Sequence, residues 1–105
     1  MLAEIQAAIS AGRYFMGPHA GLRQLEREIS TEQVEQAFGG DNPEVIKDYP
    51  NDPRGHSCLL RGVTDNGEVL HLVCTVEDPV FAVTCYRPDP EMWYPSFRKR
   101  RLSSS

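Results

Sequence analysis

The fold of this chain is decided by the stretch from Pro18 to Ser30, P-H-A-G-L-R-Q-L-E-R-E-I-S. Read as a helix that turns about 100° per residue, the stretch brings three basic side chains within about 80° of one another. These side chains are His19, Arg23 and Arg27. They form one cationic stripe, which suits the binding of an anion such as a phosphate.

An apolar stripe lies beside the basic one on the same helix and consists of Leu22, Leu25 and Ile29. We expect this stripe to dock the helix on the rest of the domain and to leave the basic edge open. A second interpretation stands beside this one. Glu26 and Glu28 are suitable partners for the arginines, and a basic stripe of this kind is often only a solvated helix face.

Two further helices are predicted on either side of this stretch. The spacing of apolar residues from Leu2 to Ile9 indicates a short amphipathic helix that Gly12 ends, and a brief extended piece is expected at residues 13–16. Ser30 and Gln33 have the pattern of a capping box, which starts a third helix. The pair of glycines at 39–40 ends that helix.

The apolar period changes from about 3.6 to 2 near Asp41, and this change indicates strands. The predicted strands cover residues 44–49, 57–64, 69–76 and 80–86. The D-N-G sequence at 65–67 is a strong hairpin signal, because Asn-Gly adopts positive φ at little cost. The sequence therefore predicts one α+β domain, residues 1–105, with helices before Gly40 and three to four antiparallel strands after it.

Strand alternation gives a second set of candidate site residues. The predicted core positions are Leu70, Leu72, Cys74 and Val76 in one strand and Phe81, Val83 and Cys85 in the next. His71, Thr84 and Tyr86 then share the less buried face, where they could supply an acid or base and hydrogen bonds to a phosphate. Alternatively, these three side chains only form hydrogen bonds with one another on a half-buried surface and have no catalytic role.

Charge limits the classes of function. The formal net charge of −4 argues against a general nucleic-acid binder, so any anion site must be local. Four of the eleven basic residues lie at 98–101, and residues 98–105 are predicted to be a frayed basic tail. Trp93, Tyr94 and Phe97 precede this tail. They suit either stacking on a nucleic-acid strand or pinning the terminal segment to the body.

Cysteine and hydropathy patterns indicate a cytoplasmic protein without a membrane segment. Three cysteines without C-x-x-C spacing fit reduced thiols, and no run of eighteen apolar residues occurs. His56, Cys58, His71 and Cys74 are of the residue types that bind zinc. His71 and Cys74 are an odd number of residues apart in one strand, so they face opposite ways. No metal and no cofactor is expected.

Three motifs carry a resemblance to a known family. They are H-A-x-x-R-x-x-E-R-x-I-S at 19–30, D-Y-P-N-D-P at 48–53 and T-C-Y-R-P-D-P-E-M-W at 84–93. The chain, over about residues 14–101, resembles a small bacterial family of unknown function grouped with the RelE- and BrnT-type toxins of toxin–antitoxin modules. This resemblance implies a RelE-like arrangement, in which helices precede a curled antiparallel sheet whose open face cleaves RNA without a metal in active relatives.

The resemblance assigns six candidate catalytic positions: His19, Arg23, Arg27, His71, Thr84 and Tyr86. The first functional hypothesis is a metal-free endoribonuclease that uses acid/base chemistry on RNA. The alternative is a non-catalytic protein-binding module whose basic surface holds an acidic partner, as a toxin holds an antitoxin.

Overall fold

The computed structural model describes residues 2–40, 43–77 and 79–101, except the side chains of residues 18–20 and 23. The elements in chain order are α1 (Leu2–Ser10), β1 (Tyr14–Met16), α2 (Pro18–Glu26), α3 (Thr31–Phe38), β2 (Glu44–Tyr49), β3 (Ser57–Val63), β4 (Val69–Thr75) and β5 (Val80–Tyr86). No helix within the described ranges is long and apolar enough to cross a membrane.

The strands form one open, mixed sheet in the order β1-β5-β4-β3-β2. The predicted α+β class is confirmed. The sheet has five strands in place of the three to four expected, and it is uncurled. The fifth strand is β1, which pairs in parallel with β5, whereas all other pairs are antiparallel. A three-residue strand is too short to show a period, and its partner lies 66 residues away in sequence at the Tyr14–Val80 pair.

One face of the sheet packs against α1 and α3. The shared core consists of Ile5, Ala8 and Ile9 from α1, Val34, Ala37 and Phe38 from α3, and Cys58, Leu60, Leu70, Leu72, Cys74, Val80, Ala82 and Cys85 from the strands. Helix α3 approaches β3 closely at Gly62, where a Cβ atom would lie 2.3 Å from the carbonyl oxygen of Ala37. The capping box at the start of α3 is confirmed, since Ser30 and Gln33 each accept a bond from the other's backbone N–H.

The predicted core positions Leu70, Leu72 and Cys74 are buried, and Val76, just beyond the end of β4, is partly buried. In β5, however, Phe81 is 43% exposed. The register shows the reason. Thr84 pairs with Val73 and Ala82 pairs with Cys74, so Val83 is an extra residue in β5. This β-bulge reverses the alternation, and Ala82 faces the core where Phe81 and Val83 were expected.

Helix α2 ends at Glu26, earlier than the predicted end at Ser30. The N–H of Glu28 donates to the carbonyl of Leu25 (3.2 Å), and the N–H of Ile29 donates to the carbonyl of Gln24 (3.0 Å). These two bonds are those of a Schellman motif, and Glu28 occupies its left-handed position with φ of 55°. The chain therefore leaves the helix at Arg27.

The docked face of α2 is also different from the prediction. Leu22 and Leu25 are 56% and 78% exposed, so the expectation that they anchor the helix was wrong, whereas Ile29 is buried beyond the helix end. The helix packs against β5, and Gly17 at its start lies under the ring of Phe81, where a Cβ would be 2.9 Å from ring atoms. A small residue allows this close approach.

The segment of residues 88–101, here called the strap, covers the other face of the sheet. Its Trp93 is buried and forms an isolated bridge with Arg100. The strap turns through Ser96 and Phe97, which both have positive φ. Arg61 in β3 donates to the carbonyl of Ser96 (2.6 Å) and holds this turn in place.

Residues 98–101, predicted as the start of a frayed tail, are held on the domain. Arg98 forms a two-bond ion pair with Glu44 in β2 (2.7 and 2.8 Å), and the N–H of Arg101 donates to the carbonyl of Met92. The prediction of a tail at 98–105 rested on the run of basic residues, and Arg98 and Arg101 have these partners in the structure. Residues 102–105 lie outside the described part of the chain.

Candidate functional site

His71 lies at the centre of the strap-covered face. Its Nε2 is 2.8 Å from the carbonyl oxygen of Phe97, and its Nδ1 is 3.3 Å from the hydroxyl of Tyr86. A carbonyl only accepts, so Nε2 carries the proton and Nδ1 accepts from Tyr86. Burial lowers the pKa of His71, and the ring is therefore neutral at pH 7.

The structure places His71 deeper than the strand pattern predicted. The residue is fully buried, and its ring packs edge-on against Trp93 with centroids 4.5 Å apart. The strap therefore covers what alternation indicated as the less buried face. A side chain in this position does not touch a substrate, but it orients the hydroxyl of Tyr86.

Tyr86 forms the link between the buried histidine and the surface. It is the register partner of His71 in β5 and is partly exposed. Burial raises the pKa of Tyr86, although the positive charges of Arg100 and Arg27 act in the opposite direction. The phenol is therefore protonated at neutral pH and can donate a proton or a hydrogen bond.

Arg27 joins the end of α2 to the end of β5. Its Nη1 donates to the carbonyl of Cys85 (2.8 Å) and contacts the hydroxyl of Thr84 (3.4 Å). Its guanidinium carbon lies 5.9 Å from the centre of the Tyr86 ring. Arg87 fixes the same junction, because its guanidinium donates to the backbone carbonyl of Arg27.

These residues open onto a cavity of about 510 Å³. Its lining residues are Arg27, Tyr86, Arg87, Asp89, Met92, Trp93 and Arg100. Three guanidinium groups and one carboxylate thus line the cavity, in a chain whose net charge is negative. Arg87 is paired with Glu68 (3.0 Å), so the charge toward the cavity comes mainly from Arg27 and Arg100. No side-chain bond of Arg100 is found within the described part of the molecule. Guanidinium groups bind phosphate oxygens through charge-assisted hydrogen bonds, so the cavity has the chemistry of an anion site.

The structure brings four of the six predicted residues together: Arg27, His71, Thr84 and Tyr86. His19 and Arg23 belong to α2, but their side chains lie outside the description. Sequence reasoning missed Arg87, Asp89 and Arg100 as lining residues. The R-P-D-P sequence at 87–90 marked the first two as a non-regular segment, whereas Arg100 was hidden in a presumed tail.

The cysteines lie on the opposite face from His71. Cys58 and Cys74 are register partners, and the hydrogen bond between their thiols together with burial raises the pKa of Cys74. Burial also raises the pKa of Cys85 to about 12. All three thiols are free and buried. Across residues 2–40, 43–77 and 79–101, no cluster of three or more His, Cys, Asp or Glu side chains could hold a metal ion.

A second cavity of about 580 Å³ lies beside the D-Y-P-N-D-P motif. Its polar groups bond mainly to one another. Arg54 and Ser57 donate to the carboxylate of Asp52, and these bonds lower the pKa of Asp52. His56 pairs with Asp48 at the same edge. This motif therefore has a structural explanation in the loop between β2 and β3.

Comparisons with known proteins identify the family of the chain. No curated protein and no solved structure matches it. A family model described as a domain of unknown function, DUF4258, matches residues 16–87, which is more than half of the chain. The matched region includes Arg27, His71 and Tyr86 and ends just before the strap. The chain therefore belongs to the DUF4258 family of domains of unknown function.

Proposed function

We propose that this protein is a metal-free endoribonuclease of the RelE/BrnT toxin type, which cleaves RNA by acid/base chemistry. The observation that carries the proposal is the convergence of Arg27, Arg87 and Arg100 around Tyr86 in one cavity. A RelE-like relationship is part of the proposal, and the motifs at 19–30 and 84–93 support it. The antiparallel strands β2 to β5 follow the three helices, which is consistent with that relationship, whereas β1 lies between α1 and α2.

In the proposed reaction, a phosphodiester of RNA occupies the cavity. The ribose 2′-oxygen attacks phosphorus, and the bond from phosphorus to the 5′-oxygen breaks. The products are a 2′,3′-cyclic phosphate and a 5′-hydroxyl. Asp89, the carboxylate of the cavity lining, accepts the proton of the 2′-hydroxyl. The hydroxyl of Tyr86 turns away from Nδ1 of His71, which accepts its hydrogen bond in the resting protein, and donates its single proton to the departing 5′-oxygen. Exchange with solvent restores both groups.

Charge stabilisation in this scheme comes from the arginines. The extra negative charge that develops on the phosphorus oxygens is bound by Arg27 and Arg100. Arg27 is held for this task by its bond to the carbonyl of Cys85. His71 acts as a positioning residue, because it accepts the hydrogen bond of Tyr86 from a fully buried site.

The test is cleavage of a short RNA in the presence of EDTA, with analysis of the product ends. Wild-type protein is expected to produce cyclic phosphate and 5′-hydroxyl ends. Arg27→Ala removes one anion ligand and is expected to slow cleavage by about 10²-fold or more. Lys47→Ala removes an exposed charge from β2, which does not line the cavity, and serves as the matched control. RNA that stays intact with wild-type protein would overturn the proposal.

A second candidate function is a non-catalytic protein-binding module with an antitoxin-like partner. The observation that favours it is the exposure of Leu22 and Leu25 on α2, since neighbouring exposed apolar side chains often mark protein contacts. The same assay separates the two candidates, because a binding module leaves RNA intact. For either function we propose a cytoplasmic location, which three free thiols support.

A further inference from the structure

The strap presents two exposed apolar side chains next to the cavity. Trp93 is only 6% exposed and points inward against His71. Its neighbours Met92 and Tyr94 are 44% and 38% exposed. Met92 lies in the turn that begins at Asp89, since the N–H groups of Met92 and Trp93 both donate to the carbonyl of Asp89 (2.9 and 3.1 Å). Trp93 follows this turn as the bridge partner of Arg100, and Met92 and Tyr94 on either side of it remain exposed.

Tyr94 is part of a fixed arrangement. The guanidinium of Arg101 lies over the Tyr94 ring, 5.0 Å from its centre. The Nε of Arg101 donates to the carbonyls of Pro90 (3.1 Å) and Trp93 (3.0 Å), and the N–H of Tyr94 donates to the carbonyl of Lys99 (2.9 Å). These bonds fix the guanidinium of Arg101 and the backbone of Tyr94 before any ligand arrives, so less conformational entropy is lost on binding.

We name Met92, Tyr94 and Arg101 the base platform. We propose that it binds an unpaired base of single-stranded RNA while the phosphate next to that base occupies the cavity. Met92 lines the cavity, and its carbonyl accepts a hydrogen bond from the N–H of Arg101 (2.8 Å), which connects the platform to the anion site. This inference rests on the proposed function for the nature of the bound phosphate, and it adds that the substrate is single-stranded.

The chemistry of the platform favours an unpaired base. Aromatic rings and guanidinium planes stack on nucleobases of any sequence, provided that the face of the base is free. In a duplex both faces of each base are covered by its neighbours, so the platform has nothing to stack on. The strap lies beyond the family match at residues 16–87.

The experiment measures binding of a labelled seven-nucleotide 2′-deoxy oligomer by fluorescence anisotropy, alone and annealed to its complement. The oligomer lacks the 2′-hydroxyl, so binding is separated from cleavage. Wild-type protein is expected to bind the single strand about tenfold or more tighter than the duplex. Tyr94→Ala is expected to raise the Kd for the single strand by roughly 5- to 150-fold. Tyr49→Ala is the matched control, because Tyr49 is 37% exposed and lies at the second cavity.

Thermal melting of each variant shows whether the fold is retained. If Tyr94→Ala melts early, Tyr94→Leu keeps the bulk of the side chain without the ring and is expected to show the same loss of affinity. Equal affinity of wild type and the folded Tyr94 variant for the single strand would overturn the inference, and so would equal affinity for single strand and duplex. If binding of the 2′-deoxy oligomer depends on Tyr94 but RNA of the same sequence stays uncut, the platform is supported and the endoribonuclease is refuted. If RNA is cleaved equally fast by wild type and by the Tyr94 variant, the endoribonuclease is supported and the platform is refuted.

Discussion

Replacement of His71 by alanine tests whether this buried side chain anchors the strap to the sheet. A histidine on an open sheet face would be removed with little effect on stability. In this structure the ring is fully buried, bonds to the carbonyl of Phe97 and packs against Trp93. We therefore expect His71→Ala to destabilise the protein strongly and to release the strap from the sheet.

The magnitude follows from two losses. The carbonyl of Phe97 loses its donor, which costs about 1–3 kcal/mol if no water replaces it. The edge-on contact between the His71 and Trp93 rings contributes about a further 1 kcal/mol. The sum, about 2–4 kcal/mol, is a large share of the 5–15 kcal/mol typical of a domain. For about 100 residues it lowers the Tm by roughly 10–20 °C.

Urea unfolding measures this loss when it is followed by circular dichroism and by fluorescence of Trp93, the only tryptophan of the chain. His56→Ala is the control, since His56 pairs with the exposed Asp48 at the surface and should cost less than about 1 kcal/mol. A His71→Ala midpoint close to that of wild type would refute the buried position and the strap anchor derived from it.

Three further predictions concern stability. Burial holds the pKa of His71 below 6.5, so the unfolded chain binds this proton more tightly. The contribution of His71 to the free energy of unfolding is then complete above about pH 6.5, and it falls on acidification by at most about 1.4 kcal/mol per pH unit. His71→Phe removes the titrating group and should flatten this slope in urea unfolding measured between about pH 5 and 7. Gly62→Ala would place a Cβ 2.3 Å from the carbonyl oxygen of Ala37 and should cost about 1–3 kcal/mol by urea unfolding; an unchanged midpoint contradicts the close approach of α3 to β3. Glu28→Gly relieves a positive φ of 55° and should raise the Tm; a lowered Tm contradicts the Schellman geometry.

The parts of the fold that local chemistry determines were predictable. The capping box needs only Ser30 and Gln33, and the buried side of β4 follows from the alternation of Leu70, Leu72 and Cys74. The parts that depend on distant partners were not predictable. The extra residue Val83 is defined only by the pairing of β5 with β4. The extended piece expected at residues 13–16 is present as β1, but its parallel pairing with β5 depends on a distant partner.

The candidate site follows the same division. Alternation placed His71 and Tyr86 on one face, and their register pairing agrees with that placement. Their burial depends on the strap, whose packing rests on Trp93 and on the ion pair between Arg98 and Glu44. In the sequence, the run of basic residues at 98–101 has the pattern of a solvated tail. The ion pair that holds Arg98 on the domain is visible only in the structure, because its partner Glu44 belongs to β2.

The central claim is that Tyr86 acts as a proton donor in an arginine-lined cavity. Its most direct test is the single-turnover rate of RNA cleavage by Tyr86→Phe, which keeps the ring and removes the hydroxyl. We predict a rate about 10²–10⁴-fold below that of wild type, with unchanged affinity for the uncleavable 2′-deoxy oligomer. A Tyr86→Phe protein that cleaves as fast as wild type would contradict the account.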